Sequence, residues 1–160
     1  MKPMFQTIVV AVSGSEASVS ASKYAIVMAK QYRCRVVAVN VVDTATLKEL
    51  LLSRIFVEDE SSDYEHSLEE NGQRYLNYVE ELAAKKGVEI EKVLRRGAVF
   101  SEIINAAEER DADLILLGGF EEKGGTRDVL SRQHRDILRN ARCSILVVKE
   151  PDVELLYRKA

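Results

Sequence analysis

The chain has 160 residues, 46% hydrophobic and 31% charged, and its 23 basic and 26 acidic side chains give a net charge of −3. That length suits one domain with its own core, and the composition excludes a disordered chain. No apolar run approaches the roughly 18 residues that a membrane span needs, and no basic surplus favours nucleic acid, so neither partner is expected.

The start, Met1–Thr7, has no signal-peptide layout, because the apolar stretch behind it, Ile8–Val12, is only five residues long. A cytoplasmic protein is expected. Its two cysteines, Cys34 and Cys143, have no CxxC spacing and read as reduced, buried thiols. With two histidines, the chain offers no ligand set for zinc.

In chain order, Thr7–Val12 is short, β-branched and continuously apolar, which predicts a strand covered on both faces. A helix follows, with Ala21, Tyr24, Ala25, Met28 and Tyr32 on one face; Ser13 and Glu16 have the spacing of a capping box at its start. Arg35–Val42 predicts the second strand. Thr44–Glu60 interrupts the alternation: it is apolar at Leu47, Leu50, Leu51, Leu52, Ile55, Phe56 and Val57, then turns acidic, and reads as a short amphipathic helix in a crossover. A long helix is predicted from about Asp63 to Lys86, with Leu68, Tyr75, Leu76, Val79 and Leu82 on its apolar side and Gly87 stopping it.

Val88–Arg95 is more mixed, as an outer strand would be. Val99, Ile103, Ile104 and Ala107 mark the next helix, and Asp113–Leu117 a buried strand. A glycine-rich stretch, Gly118–Arg127, precedes a helical stripe of Val129, Leu130, Ile137, Leu138 and Ala141. Ser144–Lys149 is the last strand, and Pro151–Ala160 a tail that reads as a short docked helix. Strands alternating with helices imply right-handed crossovers, hence an α/β, doubly wound parallel sheet of five strands with helices on both faces. Residues 1–150 form one domain in this reading, and 151–160 the tail.

Ligands of such sheets bind beyond the carboxyl ends of the strands, where the strand order reverses. Three ends carry suggestive residues: Val12-Ser13-Gly14-Ser15, Asn40-Val41-Val42-Asp43, and Leu117-Gly118-Gly119 with the glycines behind it. Glycines let backbone N–H groups approach an anion, and Lys123, Arg127 and Arg132 could pair with phosphate. The stretch is neither a P-loop nor a dinucleotide fingerprint. Arg132, Arg135, Arg139 and Arg142 recur at helical spacing and read as a solvated basic face, and His134 as a half-buried packing residue. Ser13 reads as a cap, since no histidine partners it, and Asp43 either faces the cleft or caps the Thr44 segment. The residues show no convincing catalytic set, so an enzyme is not the favoured reading.

The segments Ile8–Glu16, Arg96-Gly97, Asp113–Gly119 and Leu138–Val148 together resemble a universal stress protein domain, over about Phe5 to Lys149. The resemblance implies strand order 3-2-1-4-5, a dimer, and an adenine nucleotide (AMP or ATP, the latter with Mg) as the ligand. Nucleotide-binding members carry G-x2-G-x9-G-[ST] after the fourth strand. Laid on this chain, the pattern matches at Gly118 and departs at Glu121, Ser131 and Arg132; the usual Asp after the first strand is Ser13, and Val41 fits the position whose backbone meets adenine. The candidate binding residues are therefore Val12, Ser13, Val41, Leu117, Gly118, Gly119, Ser131 and Arg132. The departures imply a ligand bound more weakly or with fewer phosphates. Three functional readings stand: a stress-response module gated by nucleotide, a dimeric interaction protein without nucleotide, and a slow nucleotide hydrolase. The homodimer is expected through Ser144–Lys149, an apolar edge without the charges that block pairing, and a further protein partner is open.

Overall fold

Apolar, β-branched segments of five to nine residues pair side by side into one parallel sheet, seen in a computed structural model that describes residues 2–119 and 132–160. The strands are Thr7–Ala11 (β1), Arg35–Asp43 (β2), Ile90–Gly97 (β3), Leu114–Gly118 (β4) and Ser144–Val148 (β5), in the order β3-β2-β1-β4-β5. β1 is the centre: Ile8 lies between Val36 and Leu114, and Val10 between Ala38 and Leu116. Because successive side chains alternate, Ile8, Val10 and Leu116 face one helical layer while Val9, Ile115 and Leu117 face the other. This two-sided burial explains why these strands read as continuous apolar runs.

The helices are Glu16–Tyr32 (α1), Thr44–Leu52 (α2), Glu58–Ala84 (α3), Val99–Glu109 (α4), Arg132–Asn140 (α5) and Val153–Lys159 (α6). α1 and α3 cover one face of the sheet through Ala21, Ala25, Leu76 and Val79, and α4 and α5 the other through Ile103, Ala107 and Ile137. Among the described residues no helix is long and apolar enough to cross a membrane.

Several expectations shift. α3 starts five residues before the expected Asp63: Glu58, Asp59 and Glu60 lie inside its first turn, where carboxylates offset the helix dipole although Val57 offers no side-chain cap. It ends at Ala84, before Lys85 and Lys86, and Gly87 at φ +69° turns the chain toward β3. Leu138, expected in an apolar stripe, is 44% exposed, because the short α5 turns only one row inward, at Ile137. Val129 and Leu130 lie outside the described residues.

The tail docks. Val153 and Tyr157 of α6 are buried, Tyr157 Oη donates to the Leu82 carbonyl at 2.7 Å, and Glu154 pairs with Lys23 of α1. α6 therefore closes a small third core of Ile26, Val27, Leu82 and Ala83 rather than running along β5.

Two details fix the frame around β1. At its amino end, Asp113 accepts from the N–H groups of Gln6 (2.7 Å) and Thr7 (3.0 Å). The bond from Thr7, above all, holds the Asp113 carboxyl below its ordinary range. At the other end, mid-helix Gly72 is buried where a Cβ would overlap the Asn40 amide oxygen and lie 3.0 Å from Leu94 Cδ1. Two predictions follow from these contacts. Gly72→Ala should destabilise the fold by about 1–3 kcal/mol, as overpacking does, in spite of alanine's better helix propensity; chemical denaturation measures it. Asp113→Ala should cost about 1–3 kcal/mol at pH 7. Since folding depresses this pKa, its contribution is complete above the unfolded value of about 3.9 and fades as pH falls through the folded one. Melts at pH 7 and pH 3 should therefore show the gap between variant and wild type narrowing in acid.

Candidate site at the carboxyl ends of β1 and β4

Sequence neighbours part at β1, which pairs with β2 on one side and β4 on the other, so the strand order reverses there. The chain leaves β1 under tight control. Val12 N–H donates to the Val39 carbonyl at 2.8 Å, and the buried Asn40 amide donates to the Val12 carbonyl at 2.9 Å. Ser13 N–H donates to Ser18 Oγ at 2.6 Å, and that hydroxyl donates in turn to the Ala11 carbonyl at 3.3 Å. A single buried hydroxyl thus ties the end of the strand to the first turn of α1.

The capping differs from the Ser13–Glu16 box that the spacing suggests. Ser15 is the N-cap, accepting from Ser18 N–H at 3.1 Å. Ser13 lies outside the helix; its hydroxyl accepts from Ser15 N–H at 3.3 Å and sits 3.1 Å from Ser15 Oγ. Ser18 N–H is satisfied in this way, whereas the N–H groups of Glu16 and Ala17 take no hydrogen-bond partner among the described residues. They form the positive end of a 17-residue helix. Gly14 is needed for another reason: Tyr75 of α3 lies across the turn, its hydroxyl 2.6 Å from where a Cβ would stand.

The glycines after β4 serve packing. At Gly118 a Cβ would stand 2.6 Å from the Ala17 carbonyl carbon, and at Gly119 one would stand 2.7 Å from the Val148 carbonyl oxygen. Gly118 lets the first turn of α1 rest on the end of β4, and Gly119 lets the chain pass β5. His134 of α5, half-buried as expected, places Nε2 3.0 Å from the Gly118 carbonyl and so ties that helix to the same strand end.

The sequence-predicted residues therefore converge in part. Val12, Ser13, Gly118 and Gly119 sit together around the switch point. Val12 and Leu117 turn their side chains into the two cores, leaving backbone at the cleft. Val41 is half-buried one strand away on β2. Arg132 is exposed at the start of α5, two residues before His134. Ser131, like Glu121, Lys123 and Arg127, lies outside the described residues. Asp43 is committed elsewhere: it caps α2, accepting from Thr46 N–H at 3.0 Å and Thr46 Oγ1 at 2.7 Å. Among the described residues no three His, Cys, Asp or Glu side chains gather in a metal-binding group.

Ser18 and Tyr75 shape the site without having been singled out for it, and Asn40, expected at a suggestive strand end, does so from the interior. The signals were present: one Asn inside Val36–Val42, a serine in the first turn of a helix, and a tyrosine three residues after a mid-helix glycine. A separate groove of about 280 Å³ opens at the opposite end of the sheet, lined by Ile104, Ala107, Ile115, Ala141 and Cys143. Burial pushes the Cys143 thiol above its ordinary range, so it stays protonated.

Comparison with known proteins agrees with this architecture. Residues 4–149 match the model of the universal stress protein family. The universal stress protein MJ0531 of Methanocaldococcus jannaschii is 33% identical over 151 residues, covering 94% of this chain and 86% of the relative. Among solved structures, the universal stress protein from Archaeoglobus fulgidus in complex with dAMP superposes with a TM-score of 0.62 at 21% identity, over 91% of this chain and 99% of the other. A universal stress protein in complex with cAMP gives 0.60 at 19% identity, over 90% and 96%. The chain belongs to the universal stress protein family, and α6 extends past the matched region.

Proposed function

We propose that this protein is a dimeric regulatory module that takes an adenine nucleoside monophosphate at the turn between β1 and α1. The observation that carries the reading is the pair of N–H groups at Glu16 and Ala17, which take no hydrogen-bond partner among the described residues, beside the Ser13 hydroxyl and the end of β4. Helix N-termini at strand ends favour anions. The two solved relatives described above hold dAMP and cAMP, each with a single phosphate. In this reading the Glu16 and Ala17 N–H groups and Arg132 meet the phosphate, Ser13 meets the ribose, and the Val41 backbone meets the base. Ser13 brings no carboxylate charge to the turn, which suits an anion nearby. Glu121 and Ser131, where the nucleotide pattern has glycines, favour one phosphate over three. In this reading the ligand's role is to bias surfaces. Nothing here calls for Mg with a monophosphate.

The dimer would form through β5. Ile145, Leu146 and Val147 are half-buried, their strand bears no charge between Ser144 and Val148, and α6 is occupied with α1. Such an edge pairs readily with a twofold copy.

Calorimetric titration with AMP, ADP and ATP tests the ligand. AMP should bind at least as tightly as ATP, and Arg132→Ala should weaken AMP about tenfold, as expected for a charge-assisted bond of about 1.5 kcal/mol. Clear preference for ATP, or no binding by any of the three, contradicts the proposal. Light scattering tests the dimer. Neighbouring N–H groups on a strand point to opposite sides, so of Leu146→Pro and Val147→Pro one should remove a donor facing the partner copy. That variant should fold and run as a monomer against a dimeric wild type. A monomeric wild type at micromolar concentration refutes the interface.

A further inference from the structure

We propose that the corner between α2 and α3 is a docking surface for a basic amphipathic helix of a partner protein. Leu52, Ile55, Val57 and Tyr64 are 76%, 63%, 61% and 48% exposed. Four large apolar side chains thus face water within 13 residues, a density that marks interaction sites rather than ordinary surface. Their burial would have to come from outside the described residues.

The corner is a built frame. Ser53 N–H donates to the Glu49 carbonyl at 2.9 Å, Arg54 N–H to Leu51 at 3.1 Å and Ile55 N–H to Leu50 at 3.0 Å. Arg54 takes the left-handed conformation at φ 58°, which ends α2 and turns the chain outward. Phe56 and Tyr64 then pack edge to face, with ring centroids 5.7 Å apart, and Ser61 N–H closes the first turn of α3 on the Val57 carbonyl at 3.0 Å. Leu47 anchors α2 in the interior at 4% exposure. The exposed side chains stand on a backbone whose turn is hydrogen-bonded, so little further ordering of that backbone is needed for a partner to use them.

Charge selects the occupant. Between Lys48 and Tyr64 stand Glu49, Glu58, Asp59, Glu60 and Asp63, all exposed, against the two cations Lys48 and Arg54. An apolar patch rimmed by carboxylates complements a helix with apolar residues on one side and Lys or Arg beside them. The same rim repels an anionic membrane or nucleic acid. The surface follows β2 directly and so lies at the carboxyl end of the sheet, the end that holds the switch-point turn.

The test uses the full chain and a fluorescent 18-residue peptide of Leu and Lys with helical amphipathic spacing. Anisotropy should show saturable binding that the triple variant Leu52→Ser/Ile55→Ser/Val57→Ser weakens at least tenfold, its net charge being unchanged. Should the triple variant fail to fold, Leu52→Gln/Val57→Gln gives the same readout. A Lys–Ser peptide of equal charge and a Leu–Glu peptide should not compete. Equal affinity in wild type and variant overturns the proposal, as does full competition by the Lys–Ser peptide. Binding of wild type, but not variant, to phosphatidylglycerol vesicles assigns the surface to membrane instead. Self-association of wild type that the variant abolishes assigns it to a second copy. Either result overturns the proposed partner.

Discussion

The Ser18 hydroxyl and the Asn40 amide, both buried, hold the end of β1, and the rest of the site follows from where they hold it. β1 is where the strand order reverses, β2 then β3 lying on one side of it and β4 then β5 on the other, so its carboxyl end is where the backbone must choose a direction. Ser18 accepts from Ser13 and donates to Ala11, while Asn40 donates to Val12. These three bonds satisfy backbone groups that the sheet no longer pairs, and leaving any of them unmet in the interior would cost about 1–3 kcal/mol. They also aim α1 so that its first turn lies on Gly118. With that aim fixed, the first turn of the helix, with the Glu16 and Ala17 N–H groups, lies beside the end of β4.

The two ends of the sheet are finished differently. At the amino end, Asp113 binds the backbone of Gln6 and Thr7, and its own N–H donates to the Thr7 carbonyl at 2.8 Å. Farther along the surface Arg110 grips Glu91, and Arg95 grips Glu102 and Glu109. Exposed pairs of this kind contribute little each, but they use up the charges around them. At the carboxyl end of β1 the N–H groups of Glu16 and Ala17 take no hydrogen-bond partner among the described residues. Around β1 the difference is chemical: a carboxylate closes its amino end, and hydroxyls and an amide close its carboxyl end. A ligand with negative charge finds its complement at the second end.

Much of the fold was legible because burial on both faces writes itself into the sequence. Ile8–Val12 and Leu114–Leu117 could be recognised as buried strands since a sheet covered on both sides removes the polar alternation, whereas the equally apolar Ile145–Val148 lies at the sheet edge and is half-buried at Ile145–Val147. The helix limits were less legible. Glu58, Asp59 and Glu60 looked like the end of a crossover, yet acidic residues in a first turn are favoured by the dipole, and α3 begins among them. At the candidate site the residue types were readable and their roles were not. Ser13, Ser15 and Ser18 each could cap α1, and only the path of the chain decides among them. Gly118 and Gly119 looked like room for an anion; the contacts they make with Ala17 and Val148 explain them by packing alone. Spacing along one chain cannot report a helix resting on a neighbouring strand, which is a contact between residues about 100 apart.

The most direct test of the central claim, that the turn between β1 and α1 binds the nucleotide, is a map of backbone amide shifts in isotope-labelled protein titrated with AMP. Concerted shifts are expected at Ser13–Ser18 with smaller ones at Val41 and Gly118–Gly119, all fitting one dissociation constant. Shifts confined to the groove around Ile104 and Cys143, or none at saturating AMP, would contradict it.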